Sequence, residues 1–115
     1  MAVMAMTPVK GELNKVCKFA FEAATTASDG FQFKLPRMTD EYVIVLVQNS
    51  GSGAGTFTVK KPANGSYFAS ASDATFDLAA GEFGIFRFES AKWANNDGTI
   101  NCVPSAATVK AVVLY

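Results

Sequence analysis

The chain has 115 residues and a mass of 12.2 kDa, room for one domain of ordinary size and not for two. Ten Lys and Arg balance ten Asp and Glu, so there is no basic footprint for nucleic acid. With 17% charged residues against 50% apolar ones, the chain is not a disordered polyelectrolyte either. Histidine is absent, which removes the usual general base and the commonest transition-metal ligand together.

The apolar half is skewed. Eighteen Ala, eleven Val and ten Phe stand against only eight Leu and Ile, and Val, Ile, Phe, Tyr, Trp and Thr total 37. β-branched and aromatic side chains suit a pleated, half-buried surface, so this balance predicts an all-β fold. No apolar run approaches the ~20 residues that span a bilayer. Residues 1–8 lack the basic start and the long apolar core of a signal peptide, so the expected product is made in a cytoplasm without export.

In chain order, residues 1–10 form an apolar arm with Met1, Val3, Met4 and Met6 and no charge before Lys10. Such an arm can add to a sheet edge or enter a subunit interface, so these four residues are a candidate docking element, the bland alternative being a frayed terminus. If the arm docks, its removal is expected to weaken attachment and leave the fold of residues 11–115 intact. Residues 15–21 alternate, with Cys17, Phe19 and Phe21 in phase, and read as a first strand. Asp29-Gly30 marks a turn, and residues 31–35 alternate until Pro36 stops them. Six consecutive apolar residues, Tyr42 to Val47, predict a strand covered on both faces at the centre of the fold.

Gly51, Gly53 and Gly55 then form a flexible connection. It is not a phosphate cradle, because a strand at 56–60 follows instead of a helix. Residues 67–71 are a weak strand, 75–78 alternate, and 82–88 place Phe83 and Ile85 opposite Phe86 and Phe88. Asn95-Asn-Asp-Gly98 is the strongest hairpin signal and leads into 99–103; residues 108–115 close the chain. Seven to nine short strands about ten residues apart predict a single antiparallel β-sandwich, jelly-roll or immunoglobulin-like.

The chemistry-bearing residues do not assemble into a catalytic set. Cys17 and Cys102 lie 85 positions apart, match no metal or redox spacing, and read as buried free thiols, although a bridge between them stays open. Asp40 and Glu41 diverge on neighbouring positions, and Asp73 with Asp77 reads as a solvated edge. Asn95, Asn96 and Asp97 are too few oxygens for calcium. No enzyme activity, cofactor or metal is therefore expected. One binding site is conceivable, a glycan platform of Trp93, Tyr67 and Asn95, in which an aromatic face stacks on a sugar. Against it stands Trp93 as a core anchor of the turn.

Glu41-Tyr-Val-Ile-Val-Leu-Val-Gln-Asn49, Thr56-Phe-Thr-Val-Lys60, Phe88-Glu-Ser-Ala-Lys-Trp93 and Val109-Lys-Ala-Val-Val-Leu-Tyr115 together resemble small virion proteins of tailed phages and prophages. The resemblance covers residues 40–115 and consists of strand patterns without catalytic residues. It implies a non-enzymatic structural protein of the virion, foremost a decoration protein bound to the outside of an assembled head. Its partner would be the major capsid protein or another virion protein, and it would be a homo-oligomer with no nucleic acid or membrane partner. The alternative is a glycan- or receptor-binding sandwich of a tail or fibre.

Overall fold

The computed structural model describes residues 3–34, 43–62, 72–87, 93–95 and 97–115. Among these residues eight strands form: β1 (Met4–Ala5), β2 (Phe31–Lys34), β3 (Ile44–Asn49), β4 (Gly55–Val59), β5 (Ala74–Leu78), β6 (Phe83–Arg87), β7 (Thr99–Pro104) and β8 (Val109–Leu114). They make two facing sheets, a larger one ordered β1-β2-β7-β4-β5 and a smaller one ordered β6-β3-β8. All pairings are antiparallel except β1 with β2, which run parallel. The all-β sandwich expected from composition is the observed fold.

Its topology follows from one further contact. Glu22 bridges antiparallel to Ala111 on the free side of β8, through N–H to carbonyl bonds of 2.9 and 3.0 Å. Counting that bridge as a vestigial strand, the sheets read Glu22-β8-β3-β6 and β2-β7-β4-β5. The chain changes sheet between nearly every pair of consecutive strands, which is the wrapping of a jelly roll. Of the two sandwich types the sequence left open, this order selects the first.

Period-two patterning builds the core. On the larger sheet Phe31, Phe33, Ile100, Cys102, Phe57 and Val59 turn inward and are buried, and registers such as Phe31 with Cys102 and Phe33 with Ile100 keep them in rows. On the smaller sheet Val45, Val47, Val109, Ala111 and Val113 do the same. A relay of rings joins the sheets. Phe57 meets Phe76 at 5.6 Å, Phe76 stacks on Phe86 at 6.4 Å, and Phe86 meets Trp93 edge-on at 5.6 Å. Each such side chain contributes roughly 1.5–3 kcal/mol by leaving water.

Three expectations need correction. Residues 15–21 form no strand. Asn14 takes a left-handed conformation (φ 60°) in a turn, and past it the chain lies irregularly on the outside of the smaller sheet, with Phe21 5.9 Å from Phe83. Alternation alone makes no strand when no neighbour offers a ladder of free backbone groups, and β8 is engaged only at single points by Val9 and Glu22. The Asn95–Gly98 segment is a tight turn, closed by the Asn95 N–H on the Thr99 carbonyl at 2.9 Å. It is not a hairpin between β6 and β7, because those strands belong to different sheets. The glycine-rich loop is pinned rather than loose: the Asn49 amide donates to the Gly53 carbonyl at 2.9 Å and its oxygen accepts from the Gly51 N–H at 3.0 Å. The weak strand expected at 67–71 lies outside the described residues.

Candidate docking surface

The smaller sheet carries apolar side chains on both faces. Outward on β6 stand Phe83 and Ile85, 59% and 62% exposed, and outward on β3 and β8 stand Leu46 and Val112, which are direct partners in register. Val112 is fully buried although it faces away from the core, because the chain between Val9 and Glu22 lies over this face. That overlay supplies apolar groups of its own. Leu13, Val16 and Phe19 are exposed, and Phe19 packs edge-on against Phe21, which in turn meets Phe83. Every large hydrophobic residue that is exposed among the described residues is therefore on the overlay or on the outward face of β6.

Between overlay and sheet runs a groove of about 370 Å³, lined among others by Val9, Cys17, Phe19, Ile44, Arg87 and Leu114. Its size is in the range of ligand pockets, and among the described residues that line it the cation is Arg87. Cys17 is half-buried here rather than deeply buried as expected; its sulfur accepts the Glu12 N–H at 3.3 Å. Cys102 is buried in the core, where burial pushes its thiol pKa far up and leaves it protonated and inert. Both thiols are free.

The other residues singled out from sequence are placed as follows. Met4 pairs with Phe31 at the edge of the larger sheet, Met6 is buried in the core and Val3 is half-buried; Met1 lies outside the described residues. The arm is thus engaged with its own chain, through N–H bonds from Met4 to Gly30 and from Met6 to Gln32. Trp93 is 6% exposed and packed on Phe86, so the glycan platform is corrected: a buried indole has no face to stack on a sugar. Tyr67, Asn96, Asp40 and Glu41 lie outside the described residues. The Asn95 amide is turned onto the Thr99 carbonyl and hydroxyl. Asp97 accepts from the Thr99 hydroxyl at 2.6 Å and its N–H at 3.1 Å, which holds its carboxyl below the usual carboxylate range. Asp73 is lowered too, by the Lys61 N–H first and the Lys60 ammonium second, the latter at 3.0 Å.

Among the described residues, no trio of Cys, Asp and Glu is close enough to hold a metal ion, and no helix is long and apolar enough to cross a membrane. Sequence reasoning missed the overlay. Its signal was the excess of Phe, together with Leu13 and Val16 in a segment otherwise rich in charge. Compared with known proteins, the chain matches no family model, no curated protein and no solved structure.

Proposed function

We propose that this chain works by binding, as a non-enzymatic structural protein of a virion that adds to the outside of an assembled phage head. The observation that carries the reading is the gathering of Leu13, Val16, Phe19, Phe83 and Ile85 on one side of the sandwich. Scattered exposed apolar residues are ordinary, but a contiguous set marks an interaction surface. The phage-like strand patterns of residues 40–115 supply the kind of partner, and the jelly roll is an architecture used in capsid proteins, which is support by analogy alone. The groups left for catalysis are poor ones: one thiol is inert, and the best-defined carboxylates are occupied by Lys60, Lys61 and Thr99.

The mechanism is linkage. A protein that binds the assembled shell and not its free subunits stabilises the shell by about 2.7 kcal/mol per site when present at a hundred times its dissociation constant. The test is co-sedimentation of purified protein with assembled heads from the same source. Saturation at a fixed copy number is expected, and the double variant Val16→Ser, Phe19→Ser, which leaves β6 untouched, is expected to lose occupancy while keeping its circular dichroism. Failure of the wild-type protein to pellet with heads would remove this reading.

A further inference from the structure

The smaller sheet has two edges, and the chain treats them differently. The β8 edge is closed from within. Val9 donates to Val113 at 2.8 Å and accepts from Tyr115 at 3.0 Å, and Glu22 exchanges two bonds with Ala111. The β6 edge differs: among the described residues β6 pairs with β3 alone. The phase of that pairing is fixed where the Asn49 N–H donates to the Glu82 carbonyl at 2.9 Å. Gly84 and Phe86 therefore turn their backbone groups toward β3, while Phe83, Ile85 and Arg87 turn theirs to the opposite edge. Those same three residues point their side chains outward, two of them exposed and apolar. β5, the outermost strand of the larger sheet, has Asp77 on its exposed face and Asp73 just before it. β6 shows neither acid, Lys nor Pro, the usual devices that keep an edge solitary.

We infer that β6 pairs antiparallel with β6 of a second copy of this chain about a two-fold axis, joining the two smaller sheets into one. The occupant is chosen by self-complementarity. Full overlap of the five-residue strand sets Ile85 opposite Ile85 of the second copy and Phe83 opposite Arg87, with the backbone groups of all three residues facing their partners. Each Arg87 guanidinium then lies over the electron-rich face of a Phe83 ring, a favourable pairing at both ends. The two Arg87 residues are separated by about 13 Å, four strand residues, so they do not repel; parallel pairing would set them against each other. The dimer is independent of the shell-docking reading, since it forms from this protein alone.

Sedimentation equilibrium of the purified protein tests it. The wild type is expected to associate to a dimer and no further, and Ile85→Lys is expected to raise the dissociation constant at least about tenfold with an unchanged circular dichroism spectrum. Register is tested by cross-linking in a Cys17→Ser background. Directly opposed residues of such a pair have Cα atoms roughly 5.5 Å apart, inside the window for a disulfide. Ile85→Cys is therefore expected to give a disulfide-linked dimer under mild oxidation, and Phe83→Cys is not. The inference is overturned by a wild type still monomeric at about 1 mM, where association is worth only about 4 kcal/mol. It is equally overturned by open-ended oligomers, by an Ile85→Lys variant that dimerises as before, or by equal cross-linking of the two cysteine variants.

Discussion

Asn49 is the one buried polar residue among those described, at 1% exposure, and it occupies the inward phase of β3 after Val45 and Val47. Its amide donates to the carbonyls of Gly53, Leu78 and Ala79 at 2.9, 3.0 and 3.3 Å, so a single side chain ties the glycine-rich loop to the turn between β5 and β6. Asn49→Leu keeps the branching of the side chain and leaves those carbonyls without their donor. It is expected to lower the unfolding free energy by about 2–3 kcal/mol, read from urea denaturation, since a buried group without a partner costs about 1–3 kcal/mol. A loss below 0.5 kcal/mol would mean that the loop holds itself. This position was legible in principle: a polar residue that falls on the buried phase of an apolar alternation demands partners. It was missed because the apolar run ends at Val47 and Asn49 lies beyond it, next to the glycine-rich connection. Gly30 is the converse case, read correctly as a turn. It has φ 72°, and a Cβ there would sit 2.1 Å from the Cys102 carbonyl oxygen.

At the scale of elements, seven strands were legible from period two and turn residues, and no observed bound differs from the expected one by more than three residues. β1 was not, because two residues carry no periodicity. It exists because β2 has a free edge within reach of Met4 and Met6, and its contribution is more than pairing: Met6 fills the core. Removing residues 1–6 is therefore expected to cost about 2–5 kcal/mol, the range for losing a buried Met side chain, and to lower the thermal midpoint of the purified protein. An unchanged midpoint would return the arm to the role of a free docking element. The overlay at 9–22 escaped for the opposite reason. Its alternation of Cys17, Phe19 and Phe21 imitates a strand, and nothing in a linear pattern distinguishes a strand facing the core from a loop laid over the outside of a sheet. The candidate docking surface was illegible for that reason.

For the whole molecule, the class of fold followed from composition, and the choice of jelly roll required strand order, which no local pattern encodes. Charge does carry a global consequence. Without histidine, no side chain of ordinary pKa titrates between about pH 5 and 8, so stability is expected to be level across that span. Asp73 and Asp97 have folded pKa values depressed below the ordinary 3.8. Their stabilisation is complete above that value and is lost as pH falls through the folded values, so thermal midpoints are expected to decline below about pH 4. The Asp73→Asn, Asp97→Asn variant is expected to flatten that decline; an unaltered acid limb would assign it to other carboxylates.

The position of β8 has a consequence in time. This strand is made after the other seven described, yet its backbone is bonded on both sides, by β3 on one and by single bridges from Val9 and Glu22 on the other. A nascent chain halted before residue 109 holds β3 with one flank empty and an N-terminal segment with nothing to lie against. The valines of β3 then wait with β6 on one side and nothing on the other, and it is β8 that closes the sheet between β3 and the segment from Val9 to Glu22.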